Sequence, residues 1–171
     1  EVIYSQREKV LEEADLKGNI QEMVGIEITQ AIRTALVGDP GDWPAEHLIA
    51  ELKTILPLPD DLDEEYIFAN GRNSFEDAVL DVAERLYEER EQAFTSETMR
   101  SIERAVMLQI VDRLWLQHLT MMSNLRQGIG LKAYAQLDPL VAYKREGHEA
   151  FEGLLTQVRH DIAHSILHVA P

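Results

Sequence analysis

The chain has 171 residues, and 31 Asp and Glu against 16 Lys and Arg give it a formal net charge of −15. Hydrophobic residues make up 45% of the sequence, which is ordinary for a folded chain and too high for a disordered one. The absence of cysteine excludes disulfides, thiolate zinc sites and cysteine nucleophiles. Because phosphate contacts need clustered Lys and Arg, the strong acidity disfavours nucleic-acid binding.

The N-terminal residues do not match the pattern of a signal peptide. The sequence starts Glu1-Val2-Ile3-Tyr4, with no initiator Met, basic region or apolar signal core. No apolar run approaches the roughly 20 residues of a membrane-spanning helix. We interpret the chain as a piece of a longer protein.

The first predicted elements are short helices. Apolar residues recur at three- and four-residue steps from Ile20 to Leu36, which predicts a helix. Gly18 and Asn19 are expected to break a preceding helix and cap this one. A second short helix is predicted to start at residues 42–44 and to stop at the prolines of residues 57–59.

The next stretch is acidic. Residues 60–65 are interpreted as a connector or as the first turn of a helix, where carboxylates are favourable. Asn70-Gly71 predicts a turn. Asn73 and Glu76 resemble a capping box at the start of the following helix. We find no convincing alternating pattern of a β-strand, so the expected fold class is all-α.

The C-terminal part predicts two long helices. The first, over residues 100–125, has an apolar seam spaced by four and three residues: Met107, Val111, Leu114, His118, Met121 and Leu125. The second starts near Asp138-Pro139 and carries the stripe Phe151, Leu154, Leu155, Val158, Ile162, Ile166 and Val169. Gly128, Gly130 and the Asp-Pro pair are expected to interrupt helix between them. The two stripes predict a long antiparallel helical hairpin.

The segment that joins these helices differs from the rest of the chain. Residues 126–145 contain four basic residues and one acidic residue, together with the apolar or aromatic side chains Ile129, Leu131 and Tyr134. A basic, partly apolar tip on a rigid support is suited to contact another molecule. The alternative, that these side chains pack back onto the hairpin, stays open.

The sequence offers little catalytic chemistry. It contains no P-loop, nucleophile elbow or His-Glu-x-x-His motif. His160, His164 and His168 are spaced i, i+4, i+8 on one helix face, which is the only metal-like pattern. A polar stripe opposite the apolar face is the favoured interpretation, so no metal ligand is predicted.

The charge is unevenly distributed along the chain. Residues 1–95 hold 8 basic and 23 acidic residues, whereas residues 96–171 hold 8 of each. This asymmetry indicates two units with different surroundings. A solvated acidic surface that aids solubility is the plainer interpretation.

A series of specific strings occurs in the C-terminal part, in the order Val106-Met107-Leu108-Gln109, Leu114-Trp115, His118-Leu119, Leu125-Arg126-Gln127-Gly128-Ile129, Tyr134-Ala135-Gln136, Asp138-Pro139 and Tyr143-Lys144-Arg145-Glu146. Together these strings resemble SecA, the motor ATPase family of bacterial preprotein translocation. Ile3-Tyr4-Ser5-Gln6-Arg7 resembles the family's long scaffold helix. Gly130 and Lys132 depart from the His and Arg that many members carry there.

The resemblance implies an elongated helical scaffold with a two-helix finger and an inserted small helical wing. Residues 1–15 would be the end of the first scaffold helix, 16–95 the wing and 96–171 the scaffold continuation with the finger. The charge boundary near residue 95 falls at the same place. The resemblance further implies that this piece is not an enzyme and holds no cofactor, since ATP and Mg²⁺ belong to the nucleotide-binding folds of the parent protein.

The resemblance also assigns contacts to the loop of the finger. Tyr134 would touch the exported polypeptide, and the neighbouring loop would meet the SecY-type channel through Arg126, Gln127, Gly128, Ile129, Leu131 and Lys132. The implied partners are the parent's nucleotide-binding domains, the channel and the unfolded preprotein, with no nucleic acid. The implied location is the cytoplasm, peripheral at the inner face of the plasma membrane.

Two other hypotheses remain, a stand-alone helical adaptor that binds a partner through exposed stripes and a metal enzyme centred on the three histidines. The shape provides a further expectation. A compact monomer of 19.5 kDa would expose about 8,500 Å², and a projecting hairpin with a wing should clearly exceed that area.

Overall fold

The computed structural model describes residues 16–132 and 138–169, apart from the side chains of residues 129–132. The described residues form six α-helices and no strand, which confirms the all-α class: α1 (Leu16–Ala35), α2 (Ala45–Ile55), α3 (Glu64–Asn70), α4 (Arg72–Phe94), α5 (Ser96–Lys132) and α6 (Pro139–Ile166). A short 3₁₀ turn, Pro40–Asp42, precedes α2.

Helix α1 contradicts one expectation, because Gly18 and Asn19 lie inside it and do not break it. Leu16 and Ile20 lie four residues apart on the same face, and both are buried. Burial of that face outweighs the cost of about 1 kcal/mol for one glycine in a helix. The helix ends at Ala35.

The acidic connector proves to be a helix start. The Asp63 side chain accepts a hydrogen bond from the Tyr66 backbone N–H at 2.9 Å. Glu64 and Glu65 then occupy the first turn of α3, where the helix dipole favours negative charge. The run is therefore a connector up to the cap residue Asp63 and the first turn of a helix from Glu64.

The predicted capping box before α4 does not form. Gly71, with a φ of 86°, is both the last cap of α3 and the first cap of α4, and only glycine adopts this conformation at little cost. Helix α4 consequently starts at Arg72, and Asn73 and Glu76 lie within it. The Glu76 carboxylate is buried and does not cap the helix. It forms an ion pair with Arg33, whose Nε lies 3.2 Å from Oε1.

The first long helix is longer than the sequence predicts. Helix α5 spans 37 residues and continues through Gly128 and Gly130 to Lys132, so the predicted glycine break is wrong. Two glycines cost a helix about 1 kcal/mol each, which does not end a helix that is already propagating. At about 1.5 Å per residue, α5 is roughly 55 Å long.

Helices α5 and α6 form the predicted antiparallel hairpin. Arg113 and Asp161 join them by an ion pair of 2.6 Å. Further along α5, Met122 approaches Gly147, where an added Cβ would lie 3.0 Å from its Cε. Residues later in α5 therefore contact residues earlier in α6, as in an antiparallel pair. Asp138 caps α6, since its side chain accepts from the Leu140 N–H at 3.0 Å.

The seam of the hairpin departs from strict heptad spacing towards its tip. Met107, Val111 and Leu114 are buried as predicted, whereas Met121 is exposed. The prediction is therefore wrong at Met121. At this level α5 meets α6 through Met122, which contacts Gly147.

One hydrophobic core connects the two halves of the chain. Helix α1 packs on α4 and α6, and α2 packs on α1 and α6. Ile28 and Ile32 of α1 belong to the same buried cluster as Ile162 and Ile166 of α6. The domain boundaries at residues 15 and 95 remain predictions. The accessible surface of the whole chain, 10369 Å², is larger than the area of about 8,500 Å² expected for a compact monomer.

Candidate functional site

The tip of the hairpin is the site that the sequence predicts, and the structure describes it in part. Arg126 and Gln127 are exposed near the end of α5, and Gly128 is half-buried. Among the described residues, and leaving aside the helix's own backbone, no atom lies within 4 Å of the position that a Cβ would take at Gly128.

The remaining predicted tip residues are described less fully. Ile129, Leu131 and Lys132 have helical backbones, but their side chains lie outside the described residues, as does the whole of Tyr134. The predicted roles of all seven tip residues remain predictions. Whether the apolar side chains pack back onto the hairpin is equally open.

The first turn of α6 adds exposed side chains on the other side of this tip. Leu140 and Val141 are each 60% exposed, and Lys144 and Arg145 are exposed one turn later. Apolar and basic groups thus alternate at the end of a rigid support. On such a surface, the apolar groups can contact the side chains of an extended polypeptide, and the basic groups can donate hydrogen bonds to its backbone carbonyls.

The root of the hairpin contains a buried polar cluster that sequence reasoning missed. Tyr87 of α4 donates a hydrogen bond to the carboxylate of Glu103 in α5. Arg100 donates to the Tyr87 hydroxyl at 2.9 Å and pairs with Glu103 at 3.1 Å and with Glu91 at 2.5 Å. Lys17 of α1 joins the cluster through Glu91 at 3.4 Å.

These contacts change the titration of the groups in the cluster. Burial raises the pKa of Glu103, which is fully buried, despite the hydrogen bond from Tyr87 and the charge of Arg100. Burial and the neighbouring Glu103 raise the pKa of Tyr87. For Glu91, burial opposes the shift, but Arg100 and Lys17 together lower its pKa. The cluster joins α1, α4 and α5 at the point where the hairpin begins.

One signal in the sequence could have revealed this cluster. Glu103 lies four residues after Met99 and four before Met107, and both methionines are buried. A carboxylate in line with an apolar stripe is unusual, because a buried charge needs partners. Its partners on α4 could not be identified from spacing.

The structure divides the three histidines of the metal-like pattern. The rings of His160 and His164 lie with their centroids 3.8 Å apart and their planes tilted by 33°, and Glu27 of α1 lies beside them. His168 contacts α2 instead, since its Nε2 lies 2.7 Å from the Thr54 carbonyl oxygen. Two of the three histidines therefore lie together, and the fold places the carboxylate of Glu27 beside them.

The described helices form an all-α scaffold built around a long projecting hairpin. No helix among the described residues is both long and apolar enough to cross a bilayer. The sequence profile of the SecA wing and scaffold domain matches residues 1–170. The chain belongs to the SecA wing and scaffold domain family.

Individual relatives agree with this assignment. A protein translocase subunit SecA of Dehalococcoides mccartyi (strain CBDB1) is 42% identical over 170 residues, which are 99% of this chain and 18% of that protein. SecA 1 of Thermobifida fusca is 38% identical over 169 residues, 94% of this chain and 17% of that protein. SecA of Clostridium kluyveri is 35% identical over 171 residues, which are 99% of this chain and 20% of that protein. The chain thus spans about a fifth of the length of the curated relatives it matches.

Proposed function

We propose that this chain is the non-catalytic scaffold and wing of a protein-translocating ATPase, and that its hairpin tip contacts the exported polypeptide. In this proposal the tip lies at a SecY-type channel and transmits the ATPase cycle to the substrate. Family membership over residues 1–170 supports the assignment to a translocase subunit. The long antiparallel hairpin is the observation that supports the mechanical role.

The hairpin is suited to transmit displacement because it is long and paired. Helix α5 has 37 residues, and its first half is fixed by buried residues such as Ile110 and Leu114. A rigid helix pair carries motion from its root to its tip, since close-packed side chains resist deformation. The polar cluster around Arg100 holds the root against α1 and α4.

The tip is suited to contact many different sequences. A tyrosine offers a flat amphipathic ring that packs on varied side chains and backbone amides. We propose that Tyr134 touches the preprotein, and that Arg126, Gln127, Gly128, Ile129, Leu131 and Lys132 meet the channel. The exposed Leu140 and Val141 would add apolar contact area.

The outer face of α5 supports a contact with the rest of the parent protein. Leu116 and Leu119 are 65% and 46% exposed, three residues apart on one helix face. We propose that the parent's nucleotide-binding domains, which bind ATP and Mg²⁺, cover this face. The parent would then work in the cytoplasm, peripheral at the inner face of the plasma membrane.

The proposal is tested by Tyr134→Ala in the complete translocase that contains this chain. Translocation should fall much more than basal ATP hydrolysis, because the variant removes the contact with substrate and leaves the motor intact. Phe68→Ala is the matched control, since Phe68 is a 53% exposed aromatic residue of α3. Equal loss of translocation and hydrolysis in the Tyr134 variant would contradict the contact role.

A cross-link tests the same contact directly. A photo-reactive amino acid at position 134 should capture a stalled export substrate, and the same group at position 68 should not. Capture at both positions, or at neither, would count against a specific tip contact. Normal movement of substrate by a complete translocase with Tyr134→Ala would contradict the proposed contact of Tyr134 with the preprotein.

A further inference from the structure

Three side chains from two helices converge beside the core of the scaffold. They are Glu27 of α1 and His160 and His164 of α6, and each offers one metal-ligating atom within 4.8 Å of the other two. Glu27 and His160 are 133 residues apart in sequence. Only the packing of α1 on α6 brings them together.

The carboxylate of Glu27 is fixed in place. Its side chain is 11% exposed, and Oε1 accepts from Arg159 Nε at 3.3 Å. Oε2 faces the other way and lies 3.2 Å from His160 Nδ1. Arg159 therefore neutralises one side of the carboxylate, while the second oxygen is directed towards the histidines.

The two histidines are arranged as a chelating pair. They are spaced i, i+4 on α6, and their rings lie 3.8 Å apart between centroids. His164 Nδ1 lies 2.7 Å from the His160 carbonyl oxygen, so Nδ1–H donates to that oxygen and Nε2 is the atom left for a ligand. Such an outer hydrogen bond is what usually fixes the tautomer of a metal-binding histidine.

The site is open on one side. A cavity of about 310 Å³ is lined by Glu27 and His164 together with Ala31, His47, Glu51 and Ile55. An ion can enter through this cavity, and one or two waters can complete its coordination. Among the residues that line it, His47 and Glu51 add further nitrogen and oxygen donors from α2.

We propose that Glu27, His160 and His164 bind a divalent transition-metal ion, with Zn²⁺ as the reference ion. Two imidazole nitrogens and one carboxylate oxygen match the ligands that zinc takes at about 2.0–2.2 Å, and water fills the fourth position. A tetrahedral ion would draw the three atoms closer together, which the 47% exposed His160 ring allows by rotating. Ion binding replaces the hydrogen bond between His160 and Glu27, and the other ring nitrogen of His160 then carries the proton.

The bound ion would link α1 to α6. Since the three ligands are assembled only in the folded state, binding stabilises that state against unfolding. The site is structural in this proposal, because it joins two helices and lies away from the hairpin tip. Whether the site binds an ion does not depend on the proposed role of the hairpin in translocation.

The test is calorimetric titration of the untagged 171-residue chain with ZnCl₂. One equivalent should bind, and the melting temperature should rise with Zn²⁺ concentration. His160→Gln and His164→Gln should each weaken binding by at least about tenfold, because even the loss of an outer partner of a ligand costs about 10–100-fold. His148→Gln is the matched control, since His148 lies on the same helix and is 74% exposed beside Glu152.

Circular dichroism of each variant separates loss of the site from loss of the fold. His160 is exposed, so its variant should keep the helical spectrum and the unfolding transition of the metal-free parent. Glu27→Gln should weaken binding as well, by removing the oxygen ligand. Equal affinity of the His148 and His160 variants, or no saturable binding of Zn²⁺ by the parent chain, would overturn the proposal.

Discussion

Tyr87 donates its phenolic hydrogen bond to the carboxylate of Glu103, and both side chains are buried where α4 meets the root of the hairpin. Arg100 contacts both partners, at 2.9 Å from the hydroxyl and 3.1 Å from the carboxylate. The pair thus connects α4 to α5 through a charged group that has been removed from water.

Tyr87→Phe should destabilise the chain. It removes the hydroxyl and leaves the buried Glu103 with one donor fewer, which costs about 1–3 kcal/mol. Urea unfolding followed by circular dichroism measures the difference in the free energy of unfolding. Tyr66→Phe is the control, because Tyr66 is half-buried and its ring contact with Phe75 survives the change; it should stay within about 0.5 kcal/mol. Equal stability of the two variants would show that the hydrogen bond is dispensable.

Glu103→Gln should alter the pH dependence of stability. Burial raises the pKa of Glu103 above its usual value of 4.5, so the folded chain holds this proton more tightly than the unfolded chain. Its contribution to stability is therefore complete below about pH 4.5 and is lost as the pH rises through the folded pKa. Glutamine does not titrate and can still accept from Tyr87.

The measurement is the difference in unfolding free energy between the parent chain and Glu103→Gln at several pH values from 4 to 8. The parent should lose stability relative to the variant as the pH rises, by about 1.4 kcal/mol for each unit of the pKa shift. Titration of the other carboxylates largely cancels in this difference. A difference that is constant, or that grows in favour of the parent, would contradict the buried-carboxyl interpretation.

The hairpin could be predicted from the sequence because its pattern is local. The stripe of α6, with Leu154, Val158 and Ile162 buried, follows directly from helical spacing. The packing of α1 on α6 could not be predicted in this way, since no spacing rule connects Glu27 to His160. The glycine break at Gly128 was wrong because local propensity is weak beside the continuation of a long helix.

Single-tryptophan variants can test whether the wing and the scaffold unfold together. Trp43 lies before α2 and Trp115 lies within α5, so Trp115→Phe and Trp43→Phe each leave one reporter. The shared core predicts that both reporters follow the same urea transition. If the predicted boundary at residue 95 separated two independent folding units, the two fluorescence midpoints would differ.

A core substitution strengthens this test. Ile28 of α1 is fully buried, so Ile28→Ala should cost about 2–5 kcal/mol. In each single-tryptophan background the midpoint should fall by the same amount, because loss of this side chain weakens the core that both halves share. A shift reported by Trp43 alone would show that α1 stabilises only residues 16–95.

The last prediction concerns His118 in the seam of the hairpin. Its ring stacks on Trp115 at 5.4 Å and meets Phe151 of α6 edge-on at 6.0 Å. Burial lowers the pKa of His118 below its usual 6.5, because the apolar surroundings disfavour the charged imidazolium. The unfolded chain therefore takes up this proton first as the pH falls. The contribution of His118 to stability is complete above about pH 6.5 and is lost as the pH falls through the folded pKa.

A nuclear magnetic resonance titration of the histidine ring protons measures this pKa, with His118→Gln used to assign the signal. The midpoint for His118 should lie below 6.5 in the parent chain. Phe151→Ala removes one wall of its surroundings and admits water, so the midpoint should move up towards 6.5. A parent midpoint at or above 6.5, or one that Phe151→Ala leaves unchanged, would mean that water already reaches the ring between α5 and α6. The seam at His118 would then be hydrated in solution and not enclosed by Trp115 and Phe151.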